Sequence, residues 1–479
     1  MECPIHHLVM SANPSQSTRP EDRIPFLRKI TVGIGGFPFL SGGMAVQYLA
    51  QPIYQIFLGL NPVLFGLAMT IPRFVDAFTD PVMGMVSDRF RSRWGRRRPF
   101  VFAGAIGMAV TFCSIWLVRR DWPEWAMFSW LVATCILFFL TYTLFSVPLS
   151  SLTYELTPDY HERTRFMSFW VFFVSLGSLT SLWLPPMTNW HGFANPLVGV
   201  RWVGLGMGVL VFAGLGVLPA IFGRERFYEV AQKEGNRIGF LSAMRQATFS
   251  RPMLALVGII LPLNFCATIA SSIAQYIVIY HVKGGDVTGG IALGALNGTG
   301  FVVVGFAAIP LISWMATHWG KRQAMTVVLW LALFGGISKW FIFTPKIPYL
   351  LLLDSVLNGP VWVAISLVIP SMMADLCDWD EEAYGQRREG IIGAVFSWTT
   401  KVGISVTFLF SGIALQCSGF NVALGAHQAE STLVIMRLFF TGTSVLAPAL
   451  SLVALSFYPI TEKKAYEIRA KLEMNRGSV

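Results

Sequence analysis

Apolar runs separated by short polar turns recur along the whole chain, and they repeatedly exceed the roughly 18 uncharged residues that mark a membrane-spanning helix. Read against turn and charge signals, they predict twelve spans: 31–58, 62–86, 99–118, 126–152, 166–185, 202–222, 253–280, 290–315, 325–343, 349–373, 391–415 and 432–458. An even number puts both termini on one side. Segment 223–252 is the longest polar connection and divides the spans six and six. The expected fold is an all-α membrane protein of twelve transmembrane helices in two six-helix bundles. Its organisation would be an N-terminal tail (1–30), a first bundle (31–222), a linker (223–252), a second bundle (253–458) and a C-terminal tail (459–479).

Composition agrees with this reading, at 54% hydrophobic residues, 13% charged and mean hydropathy +0.58. The formal charge of +10 sits in short loops between apolar runs, which is positive-inside patterning and not a nucleic-acid surface. It places both termini in the cytoplasm and the protein in the inner or plasma membrane, surrounded by lipid and expected as a monomer. Residues 1–27 lack the short apolar core of a secretory signal. The six cysteines are scattered and suggest neither a disulfide framework nor a metal site. No phosphate-binding GxxxxGKS/T loop and no nucleophile set is visible, so neither ATP-driven pumping nor enzymatic chemistry is expected, and no cofactor.

Internal echoes support a duplication. Arg93-Trp94-Gly95-Arg96-Arg97 returns as His318-Trp319-Gly320-Lys321-Arg322, and Gln47-Tyr48 as Gln275-Tyr276. More loosely, Glu155-Leu156 returns as Asp375-Leu376. Offsets of 225, 228 and 220 are what two parallel six-span repeats around a central path would leave.

The second span carries Asp76 and Asp80 in an otherwise apolar helix, with Arg73 one turn earlier. A carboxylate in mid-bilayer costs roughly 2.5–3.5 kcal/mol, so a pair must face a cavity, a cation or a partner. At i and i+4 they share a helix face, and their repulsion is eased by sharing a proton or ligating a small cation. Na+ or H+ is therefore the expected coupling ion. Thr143 in the fourth span, on one face with Ser146 and Ser150 and next to Tyr142, would complete an oxygen shell. The competing reading is a static Arg73 bridge.

Polar stripes at i+4 spacing mark matching helices of the two halves: Gln47, Gln51 and Gln55 with Tyr48 in span one, and Asn264, Thr268, Ser272 and Tyr276 with Gln275 in span seven. They suit a solvated cavity for a polyol, although single amides also glue helices. Asp354 and Asn358 in span ten, and Lys401 beside Trp398 in span eleven, complete the candidate solute-binding set. Asp88, Arg96, Arg97, Glu155, Asp375, Asp378 and Arg388 cluster in cytoplasmic loops, where they would form gating charge networks.

Asp76-Ala77-Phe78-Thr79-Asp80-Pro81, Ser87-Asp88-Arg89, Gly95-Arg96-Arg97-Arg98-Pro99, Met373-Ala374-Asp375-Leu376-Cys377-Asp378 and Lys401-Val402-Gly403 resemble the glycoside/pentoside/hexuronide:cation symporters of the major facilitator superfamily, the melibiose permease family. The resemblance implies the major facilitator fold, a cation site at Asp76, Asp80 and Thr143, and the helix-eleven lysine at Lys401. The family's sugar-binding acids fall near Phe39-Leu40 and on Ser146, its tryptophan on Ser150 and its helix-five arginine on about Trp170. The resemblance thus implies a coupling-cation site and does not carry over a galactoside site. The expected function is Na+- or H+-coupled symport of a sugar, glycoside or hexuronide by alternating access. The alternatives are a carrier of an anionic or lipid-like solute, and a non-transporting sugar sensor.

Overall fold

Within a bilayer every backbone N–H and C=O must be satisfied by its own segment, so long apolar runs fold as helices. The computed structural model describes residues 23–156, 160–190, 192–223, 250–384, 389–421, 424 and 427–476, and all regular elements among them are helical. In chain order they are α1 (Phe26–Phe57), α2 (Pro62–Arg89), α3 (Arg98–Ile115), α4 (Glu124–Glu155), α5 (Tyr160–Thr188), α6 (Pro196–Phe222), α7 (Arg251–Val282), α8 (Val287–His318), α9 (Lys321–Ile342), α10 (Leu353–Tyr384), α11 (Glu389–Cys417), α12 (Glu430–Ser456) and α13 (Glu462–Arg476).

Among the described residues, eleven helices are long and apolar enough to cross a membrane. The twelfth long helix is α2, which carries Arg73, Asp76, Asp80 and Asp88. Most helices run past their expected ends. α1 is broken near Ile34–Gly35, and α13 forms inside the stretch expected as a tail. α13 buries Ile468 and Leu472 against the end of α10 and pairs Lys471 with Glu382 at 2.8 Å. Helix starts follow side-chain chemistry. Asn61 Oδ1 accepts from the N–H groups of Val63 and Leu64, with Pro62 at the first position, and Asp286 caps α8 through Gly289.

The two groups of six helices use the same contacts. α1 packs on α5, α2 and α3 on α4, and α3 on α6; α7 packs on α11, α8 and α9 on α10, and α9 on α12. Across the halves, α2 meets α11 and α5 meets α8, contacts that exchange with each other when the halves are swapped. The duplication reaches single residues. α1 and α7 both end in π-helical turns, Gln51–Phe57 and Ile277–Val282. Leu58 N–H bonds Ile53 O and Leu60 N–H bonds Tyr54 O, just as Lys283 bonds Val278 O and Gly285 bonds Ile279 O. Each pair is 225 residues apart, as are Gly59 and Gly284, both in the left-handed region that favours glycine.

The start of α5 is tied to the first described residues. Glu162, 1% exposed, accepts from Ile24 N–H at 2.9 Å and pairs with Lys29 at 2.6 Å. Burial pushes this carboxyl up, but the Lys29 and Ile24 hydrogen bonds and the Lys29 and Arg165 charges outweigh it and hold the group below the usual carboxylate range.

Candidate functional site

Asp76 and Asp80 stack one turn apart on α2 and face α4 and α11. Thr143 Oγ1 lies 2.8 Å from Asp76 Oδ1 and 3.0 Å from Asp80 Oδ1. Lys401 Nζ reaches across from α11 to pair with Asp80 Oδ2, and lies 3.6 Å from Asp76 Oδ2. Asp76 and Thr143 are buried, at 4% and 2% exposure, whereas the Lys401 side chain is 37% exposed, so water screens part of the attraction. The cluster joins three helices and both halves of the molecule.

Its two carboxylates face one ammonium, with the Arg73 guanidinium one turn away but not bonded to them, and the Thr143 hydroxyl has a single proton to offer two carboxylate oxygens. A proton on one carboxyl, or a small hard cation among the three oxygens, could take the place the ammonium holds. Arg73 does not form the static bridge to the acids. Its Nη2 donates to Gly43 O at 2.9 Å, its guanidinium stacks on the Phe139 ring at 4.4 Å, and its buried Nε has no hydrogen-bond partner among the described residues.

Next to the cluster the wall of the first half is aromatic. Phe39 packs on Trp170 and Tyr142 with ring centroids 5.4 and 6.3 Å apart, and Tyr142 donates its hydroxyl proton to Phe39 O. Close approach requires glycine on α1: a Cβ on Gly36 would sit 2.9 Å from Trp170 O, and one on Gly42 would sit 2.9 Å from the Tyr142 ring. Ser146 is buried, while Ser150 bonds back to Ser146 O in its own helix.

The polar stripes meet at the end of the bundle remote from the linker. Gln51 Nε2 donates to Ser272 O at 2.8 Å, and Tyr276 donates to Gln55 Oε1 at 2.7 Å. Gln47, Tyr48 and Gln275 are half-buried nearby, and Asn264 bonds back to Ile260 O. Asp354 is also at this end, away from the ion cluster. It sits in the first turn of α10, roughly 20–25 Å along the bundle axis from the level of Lys401, where Asn358 donates to it at 2.7 Å and Lys339 pairs with it at 3.7 Å.

Of the residues expected to gate, Asp375 pairs with Lys321 at 2.7 Å, between α10 and α9 of one half. Lys321 was legible as the counterpart of Arg96 in the repeated loop. Arg96 and Arg97 are buried and Asp378 is half-buried. The side chains of Asp88, Glu155 and Trp398, and all of Arg388, lie outside the described residues. Two contacts escaped sequence reading: Arg73 to Gly43 and Glu162 to Lys29. Neither spacing nor periodicity encodes a bond to a backbone carbonyl on another helix or an ion pair over such a separation.

Comparison with known proteins accords with this architecture. The isoprimeverose transporter of Lactiplantibacillus pentosus is 24% identical, over 98% of this chain and 97% of its own. The sphingosine-1-phosphate transporter MFSD2B of Xenopus tropicalis is 23% identical, over 99% and 97%. A bacterial homolog of the human lysosomal transporter Spinster superposes with a TM-score of 0.66 at 14% identity, over 95% and 99%, which establishes likeness of fold. The chain matches the MFS/sugar transport protein family over residues 31–462. It belongs to that family, as a multi-pass integral membrane transporter and not an enzyme.

Proposed function

We propose that the protein couples the inward movement of a sugar, glycoside or hexuronide to Na+ or H+ bound at Asp76, Asp80 and Thr143. The observation that carries this reading is Lys401, a cation on the second half paired with both acids of the first. The ammonium stands where a coupling ion would bind, so ion and lysine compete. An arriving ion releases Lys401 from Asp80, and the tie between α2 and α11 is remade around the ion. Solute in the adjoining cavity then favours the ion-loaded state, and by reciprocity the ion tightens solute binding. One positive charge moved across 100 mV supplies about 2.3 kcal/mol, or roughly fiftyfold accumulation of a neutral solute.

The test is binding of a glycoside and uronide panel to the purified protein, with and without Na+, from about pH 5.5 to 8. Affinity that rises with Na+ at fixed pH identifies Na+; improvement on acidification alone identifies H+. A panel that never binds removes the sugar.

A second reading, an anionic or lipid-like solute, is favoured by one observation. Phe39 stands near the place of one family acid and Trp170 near that of the family's arginine, and with Tyr142 they form an aromatic wall beside the Arg73 Nε, which has no hydrogen-bond partner among the described residues. The relative that carries sphingosine-1-phosphate gives this reading weight. Competition by lipids and not sugars selects it.

A further inference from the structure

The two halves meet closely at the end remote from the linker. A Cβ on Gly66 of α2 would lie 2.5 Å from Phe408 O of α11, and one on Gly412 of α11 would lie 2.3 Å from Pro62 O. Trp183 Nε1 donates to Thr299 Oγ1 between α5 and α8 at 3.0 Å. Between α1 and α7, the bond from Tyr276 to Gln55 is fully buried, since Gln55 is 3% exposed and Tyr276 0%. Tyr276 is braced from its own half by the Phe420 ring at 4.8 Å. Tyr54 anchors α1 to the first half through Ile115 O at 2.6 Å.

This bond joins the two ends of α1 and α7 that leave α-helical geometry. π-helical turns are uncommon, cluster at functional positions and mark places where a helix changes register. Here they occur at the same place in both repeats, with matched hydrogen bonds and matched left-handed glycines. Beside the bond lies a water-sized space lined by Gln51, Gln55, Ser272, Tyr276, Ser411 and Phe65. Water at that spot can take over the amide and phenol when the bond breaks.

We infer that Gln55 and Tyr276 form a latch that holds the far side shut, and that the paired π-helical ends of α1 and α7 are the segments that part when it opens. The latch lies on the order of 20 Å along the bundle from Asp76 and Asp80, so it is distinct from the ion cluster. Its strength sets how often the far side opens, whatever the solute.

The test is spin-label distance measurement across the far side, with labels at Asp121→Cys and Lys346→Cys on exposed loops of opposite halves and the six native cysteines replaced. Tyr276→Phe keeps the ring and removes the hydroxyl. It should raise the ratio of long to short distances about fivefold, the worth of one ordinary buried hydrogen bond. Gln55→Leu should do the same, and the double variant should shift no further than either single one, because both remove one bond. Unchanged distances in both single variants, or a double variant equal to the product of the singles, would overturn the latch. The readout involves no solute, so failure of the sugar assignment leaves it intact.

Discussion

Replacing Lys401 with Met removes the ammonium that pairs with Asp80 and Asp76 and keeps most of the stem's volume. Across the 3.6 Å to Asp76, an effective dielectric of about 20 gives an attraction of about 4–5 kcal/mol. The lysine side chain is 37% exposed, so water screens much of this, and about 1–2 kcal/mol is a reasonable remainder. An incoming ion must overcome that competition in the native protein and not in the variant. Lys401→Met should therefore bind its coupling ion about 5- to 30-fold more tightly, while uphill uptake falls because the tie between α2 and α11 no longer responds to the ion. Titrating Na+ at fixed pH by calorimetry, and H+ by proton uptake on acidification, measures the affinity directly. Unchanged or weaker ion binding in a folded variant would refute the idea that Lys401 stands in for the ion.

Thr143→Val keeps the shape of the side chain but removes the oxygen shared by both carboxylates. Losing an oxygen from the shell should weaken ion affinity by about tenfold or more, and losing the charge-assisted hydrogen bond should cost about 1.5–3 kcal/mol of stability, read by the same titration and a melting curve. The Glu162 tie predicts a pH dependence. Its carboxyl lies below the usual value of 4.5, so its stabilisation is complete above that value and is lost as pH falls through the lower folded one. Hydrogen exchange at the Ile24 amide should stay slow from about pH 8 to 5, once corrected for intrinsic rates, and quicken only below about pH 4; loss of protection near pH 6 would contradict the tie.

The helical architecture was legible because bilayer helices advertise themselves in long apolar runs. Charge was informative where it broke the pattern. Asp76 and Asp80 put charge inside the otherwise apolar α2, and that feature pointed to it as the site. Thr143 was placed beside them by the family resemblance, since a hydroxyl-bearing face does not say which helix it meets. What sequence could not supply was the partner of each long side chain. Lys401 was a candidate without an address until α11 was seen against α2. Gln51, Gln55 and Tyr276 read as a cavity lining, yet they bond across the halves, because an amide on an apolar helix carries no sign of which neighbour it meets. The π-helical ends were hidden as well, since their register depends on backbone hydrogen bonds that residue type does not specify. Asp354 and Lys339 were legible as charges near the outer ends of their helices; that they pair with each other was not.

The most direct test of ion coupling is solute uptake into proteoliposomes, comparing uphill accumulation driven by an imposed ion gradient with solute exchange at equal concentrations. Asp76→Asn and Asp80→Asn should each abolish accumulation while exchange continues. Full accumulation retained in both variants would contradict coupling at these carboxylates.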